Sequence, residues 1–150
     1  MKRGWKRVAA GFGLGAVVLA VSGMVAHRMM PHGHRPENSE FGFGPRRSAA
    51  GLYVATLEAQ QPIEIRKMQT MRVIISDANG RPADGASLTV DGGMPEHGHG
   101  LPTQPKVTRS LGGGAYLVEG VKFNMGGWWT LTFQVDAAAG RDSVTFNLDL

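Results

Sequence analysis

From Trp128 to Leu150 the chain alternates apolar and polar side chains with a period of two, and that alternation constrains its fold more than any other feature. Val144, Phe146, Leu148 and Leu150 alternate with Thr145, Asn147 and Asp149. Just upstream, Trp129, Leu131, Phe133 and Val135 form one row, and Trp128, Thr130, Thr132 and Gln134 form the other. Successive side chains of a strand point to opposite faces, so each run has one buried and one wet face. The adjacent Trp128 and Trp129 therefore face opposite sides, with Trp129 assigned to the core. Gly140 lies in the short stretch between the runs and closes them into a hairpin.

The same period recurs upstream. Met71, Val73 and Ile75 alternate with Arg72, Ile74 and Ser76, and Asp77-Ala78-Asn79-Gly80 ends that strand with a dipeptide that tolerates positive φ. Ala86, Leu88 and Val90 face inward on the next run. Weaker runs at 106–110 and 115–121 and an opening strand at 52–58 bring the count to about seven strands. This predicts an all-β fold for residues 51–150, an immunoglobulin-like antiparallel β-sandwich of about seven strands. No segment carries a long 3.6-residue stripe, and no Gly-rich loop joins a strand to a helix, so nucleotide-binding folds are disfavoured.

The N-terminal third differs. Residues 8–26 contain no charged side chain, and 19 residues of helix span roughly 28 Å, close to the hydrocarbon thickness of a bilayer. Lys2, Arg3, Lys6 and Arg7 precede this stretch, against Arg28 and Arg35 shortly after it. The expected organisation is a cytoplasmic basic tail at 1–7, one transmembrane helix at 8–26 and an exported remainder. The protein would sit in the cytoplasmic or inner membrane, with its C-terminal domain in the periplasm or outside. A cleaved signal peptide is the competing reading, with Ala20-Val21-Ser22 as its small-x-small site. Residues 27–50, rich in Pro, Gly, Arg and His without periodicity, read as a poorly ordered tether.

Charge and cysteine content narrow the chemistry. Residues 1–50 carry eight Lys/Arg and two Glu, whereas residues 51–150 carry eight Lys/Arg and ten Asp/Glu. The expected domain is thus slightly acidic and has no basic face with which to displace phosphate counterions, which argues against nucleic acid as a partner. Cysteine is absent, excluding disulfides, thiolate nucleophiles and iron–sulfur ligation. Any metal must be held by His, Met or oxygen.

All five histidines fall in two tracts that resemble each other, Met30-Pro31-His32-Gly33-His34 (with His27 just upstream) and Met94-Pro95-Glu96-His97-Gly98-His99-Gly100. Two imidazoles separated by one Gly can point to one side and converge on an ion. Imidazole suits Cu, Zn and Ni, and thioether sulfur selects soft Cu(I), so copper is the expected cofactor if the protein has one. The candidate ligands are His97 and His99, with Met94 and Met125 as thioethers; His32, His34 and Met30 form a secondary set. Equally consistent with the residues, the loop is a turn whose imidazoles bond to carbonyls, Met125 is a packing residue, and the tether histidines are solvated. No nucleophile elbow accompanies a base, and Asp77, Asp84, Glu119 and Asp149 occupy turn or surface positions, so no enzymatic activity is expected.

The ordered series Asp77-x-x-Gly80-x-Pro82-x-x-Gly85-Ala86, Met94-Pro95-x-His97-Gly98-His99-Gly100-x-Pro102, Gly114-x-Tyr116 and Phe123-x-Met125-x-Gly127-x-Trp129 resembles the YtkA-like domain over residues 65–150. That family is related to the FixH group of membrane-anchored bacterial proteins. The resemblance implies an N-terminally anchored, exported β-sandwich without enzymatic activity. FixH-type members are associated with assembly of copper-containing respiratory oxidases, which implies a membrane metalloprotein or metal transporter as partner. The residues carried over are His97, His99, Met94, Met125 and Trp129. The additional His/Met tract at 27–34 and the long Gly/Arg tether depart from FixH.

Overall fold

The computed structural model of the chain describes Gly33, Arg35 and residues 40–150. The expected tail at 1–7, the expected membrane helix at 8–26, and Met30, His32 and His34 lie outside the described residues. Among the described residues all regular structure is β, and no helix is long and apolar enough to cross a membrane.

Nine strands among the described residues form two antiparallel sheets. One sheet has the order β1 (Arg46–Arg47), β2 (Tyr53–Ala59), β3 (Met68–Asp77), β7 (Ala115–Lys122), β6 (Lys106–Gly112). The other has the order β5 (His99–Gly100), β4 (Ser87–Met94), β8 (Trp128–Ala137), β9 (Gly140–Asp149). The seven longer strands are those expected from alternation, and β1 and β5, two residues each, are the additional ones. Register follows the side-chain rows. Trp129 faces Leu148, Leu131 faces Phe146 and Phe133 faces Val144, all buried, so a one-residue slip would turn this whole row to water. Tyr53, Ala55, Leu57, Met71, Val73, Ile75, Tyr116 and Val118 supply the opposing layer.

Trp128 departs from the expected pattern. It lies on the row opposite Trp129 yet is only 5% exposed, with its indole N–H donating to Asn147 Oδ1 at 3.0 Å. The Asp77–Gly80 turn forms as expected: Gly80 has φ +79°, and Asp77 Oδ1 accepts the amides of Asn79 and Arg81.

The sandwich also begins earlier than residue 51. Phe41 bridges Asn147 in parallel, Gly42 N–H donates to Asn147 O, Leu57 N–H donates to Phe43 O, and β1 pairs with β2. Asp142 then accepts the amides of Ala50 and Leu52. These bonds use main-chain groups that any residue possesses, so a Gly/Pro/Arg-rich stretch can be part of a sheet edge. Further upstream, Gly33 N–H donates to Pro95 O at 3.1 Å, and Arg35 pairs with Asp149 at 2.8 Å and lies over the Phe41 ring.

Strand directions gather the connections 60–67, 95–98, 101–105 and 123–127, together with Leu150, at one end of the sandwich. Arg66 N–H bonds Phe123 O and Gly127 pairs with Leu150 there. Met94, His97, His99 and Met125 lie at this end.

Candidate metal centre

Strand β4 ends at Met94 and the chain returns at His99, so the His-Gly-His tract is the tip of a hairpin in which Met94 and His99 are directly paired. Met94 O accepts the amides of both His97 (3.1 Å) and Gly98 (3.0 Å), and Gly98 takes φ +65° to complete the turn. Residues opposed in an antiparallel ladder share a face of the sheet, which places His99 on the same side as Met94. Met94 is buried, at 1% exposure, and its ε-methyl approaches Gly127 so closely that a Cβ there would lie 2.9 Å away. His99 remains exposed, with its ring 5.8 Å from that of Trp129 in an edge arrangement. His97 stacks alongside His99 at 5.9 Å and 30°. The two imidazoles are thus side by side at the mouth of the core.

Nitrogen availability follows from the acceptors. His99 Nδ1 lies 3.0 Å from Gly100 O, and a carbonyl can only accept, so Nδ1 is inferred to carry the proton and Nε2 to keep its lone pair outward. Histidines that bind metals are commonly oriented in this way, by a hydrogen bond from the second ring nitrogen. The His97 ring makes no hydrogen bond among the described residues.

Met125 joins the same mouth through its backbone: Trp129 Nε1–H donates to Met125 O at 3.0 Å, and the Met125 side chain is 40% exposed. Phe123 packs edge-on against the Trp129 ring at 5.3 Å. The structure therefore brings His97, His99 and Met94 into one hairpin and joins the Met125 carbonyl to the Trp129 indole, while Met30, His32 and His34 lie outside the described residues. No group of three or more His, Cys, Asp or Glu able to hold a metal occurs among the described residues.

Three features of this end have no sequence signal. Gly33 touches Pro95, His99 meets Trp129, and Arg66 adopts φ +69°, the only positive φ at a non-Gly position among the described residues. Of the carboxylates read as turn or surface groups, three are exposed, and each has a partner: Asp84 accepts the Gly114 amide, Glu119 accepts the Thr108 hydroxyl and Asp149 pairs with Arg35.

The family model for YtkA-like proteins matches residues 47–134. The chain belongs to the YtkA-like family. The match runs from β1 into β8, so it contains the β4–β5 hairpin, the 123–127 connection and Trp129, and it begins upstream of the span expected from motifs. No curated protein matches this YtkA-like chain.

Proposed function

We propose that this YtkA-like protein is a membrane-anchored, periplasm-facing, immunoglobulin-like sandwich that binds copper at the β4–β5 hairpin and serves metal handling or metalloprotein assembly. The observation that carries the reading is the pairing of His97 and His99, with stacked rings and a hydrogen bond to Gly100 that leaves His99 Nε2 free. The donor set fits a soft, imidazole-compatible ion: two imidazoles on one hairpin, Met94 paired with His99, and Met125 on the connection bonded to Trp129. His97 and His99 would hold the ion, and Met125 or Met94 would complete its shell. Copper, when bound, would be cargo taken up and released by reversible coordination, without a chemical step on the protein. The resemblance of its motifs to those of FixH-type proteins is what suggests a membrane metalloprotein or metal transporter as the receiving partner.

The test is a Cu titration of the full chain against a competing chelator. Binding of about one ion per chain is expected, and the His97→Ala/His99→Ala double variant abolishes it. In a Trp5→Phe background, Cu(II) quenches Trp129, whose ring adjoins His99. Undiminished binding in the double variant would refute this site. A second reading, a metal-free interaction module, is favoured by the turn being closed through main-chain bonds from His97 and Gly98 to Met94 O; it predicts no copper uptake at micromolar concentration.

A further inference from the structure

We propose that the outer face of the five-stranded sheet is a docking surface for an acidic protein, one that sets an apolar patch ringed by Asp and Glu against Val54, Ile74 and Leu117 of this chain. The inference goes beyond the metal reading and does not depend on it, since the His97/His99 hairpin belongs to the other sheet.

The two outer faces of the sandwich differ in what they show to water. Met71, Val73 and Ile75 of β3 enter the core, so Thr70, Arg72, Ile74 and Ser76 point outward. Directly paired residues share a face, and the register therefore adds Val54 and Thr56 from β2 and Ala115 and Leu117 from β7. Ile74 is paired with Thr56 on one side and Ala115 on the other, with Val54 and Leu117 as its diagonal neighbours. Val54, Ile74, Ala115 and Leu117 thus form one contiguous, half-buried patch. Met68, on the same row of β3 and 65% exposed, extends it. The outer face of the other sheet carries Ser87, Thr89, Thr132, Gln134, Ser143 and Thr145, and its one large apolar residue, Trp128, is buried. A sheet face that meets only water has the composition of that second face.

Charge is segregated in the same way. Residues 51–150 hold eight Lys/Arg and ten Asp/Glu, yet the register brings Arg47, Arg72, Lys106, Arg109 and Lys122 to the apolar face, against Glu58 and Glu119. Arg72 and Glu58 are bonded to each other, and Glu119 accepts the Thr108 hydroxyl. Among the described residues the other four cations form no ion pair. They stand around the patch. Arg47 is paired with Val54 at one edge of the sheet, Arg109 with Leu117 at the other, and Lys122 with Met68.

An apolar centre with a charged rim is the anatomy of a protein–protein interface, and a rim of unpaired cations calls for carboxylates opposite. Nucleic acid would leave the apolar centre unused, because its interfaces are more polar throughout. Size agrees: four strand spacings and the ten residues of β3 give a face of roughly 20 by 30 Å, about 600 Å², near the ~800 Å² that one partner of a standard interface buries. The face is the surface in question, and the edge is not. Edge strand β6 is broken by two register shifts and carries Lys106 and Arg109, which blunt it against strand addition.

A carbodiimide joins a lysine amine to a carboxylate in direct contact, so it reads the proposed pairing itself. Applied to the full chain in its native cells, it should link Lys106 or Lys122 to an Asp or Glu of one other protein, with the linked residues mapped by mass spectrometry. Arg47→Glu/Arg109→Glu changes two exposed side chains and leaves both lysines in place to react. By setting like charges across the interface it should lower the adduct at least about tenfold. Thr145→Glu, on the outer face of the other sheet, should leave the yield unchanged. Far-ultraviolet circular dichroism of the purified variants checks that both retain the sandwich. No adduct through either lysine, or an adduct equally abundant in the arginine variant, overturns the proposal. Linkage to a carboxylate of a second copy, or to lipid or nucleic acid, assigns the face to that occupant and overturns it as well.

Discussion

Replacing Trp129 by Phe tests whether the indole at the mouth of the core holds the candidate site together. The residue is fully buried, its N–H donates to Met125 O, and its ring meets those of His99 and Phe123. The roughly 40 Å³ separating the two side chains costs about 1 kcal/mol at about 24 cal/mol per Å³ of cavity. Leaving a carbonyl unpaired beside the core adds about 1–3 kcal/mol. The expected loss is therefore about 2–4 kcal/mol, a shift in Tm of roughly 10–20 °C for a domain of about this size. Trp128→Phe supplies the control. Its indole donates to the side chain of Asn147, which can rotate towards water, so only the cavity contribution persists and the loss should stay near about 1–1.5 kcal/mol. Urea unfolding followed by far-ultraviolet circular dichroism measures both without relying on the tryptophans themselves. A loss at Trp128 equal to or larger than that at Trp129 would refute the assignment of Trp129 as the organising residue.

Two further predictions concern the opposite end of the sandwich. Burial raises the Asp142 pKa, but hydrogen bonds from the Ser48 hydroxyl and the amides of Ala50, Ser143 and Leu52 outweigh it and hold the group at about 2, below its ordinary 3.8. Because the folded value is the lower one, this contribution is complete above pH 4 and fades as pH falls towards about 2. Asp142→Asn should cost on the order of 1–2 kcal/mol at neutral pH and flatten the acid limb of a stability–pH curve; an unchanged limb would contradict it. Gly114 has φ +72°, and a Cβ there would be driven into the Ile75 carbonyl oxygen, whereas Gly80 has φ +79° with open space around it. Gly114→Ala should therefore cost more than about 3 kcal/mol against about 1 kcal/mol for Gly80→Ala, and equal losses in thermal unfolding would show that the close approach is not what selects glycine.

Much of the sandwich was legible because burial on one face of a strand leaves a period-two trace that needs no knowledge of partners. Six of the seven longer strands carry that trace, whereas β6 is exposed along nearly its whole length and the Asp77–Gly80 turn is marked by its residue types. β1 and β5 left none, since two residues cannot establish a period. Residues 41–50 read as tether because their attachment to Asn147, Ser143 and Asp142 runs mainly through backbone amides, which leave no mark on composition. Trp128 escapes the alternation rule: alternation puts it on the wet row, but it is buried with its indole bonded to Asn147.

At the candidate site the spacing of His97, Gly98 and His99 was sufficient to single out the pair, because a dipeptide repeat places both rings within one turn whatever surrounds it. It was not sufficient to set Met94 in the core with its ε-methyl against Gly127, to lay His99 against Trp129, or to seat Gly33 on Pro95. Those contacts join residues about 30 to 60 positions apart along the chain, and no local pattern encodes them. The sequence alone determined which residues are chemically unusual and which strands they follow, because propensity and periodicity act over a few neighbours. Only the packing of the two sheets decided that the unusual residues share one end with the strained Arg66 turn and the exposed Ile65 and Met68, because that arrangement depends on how distant strands register against a common core.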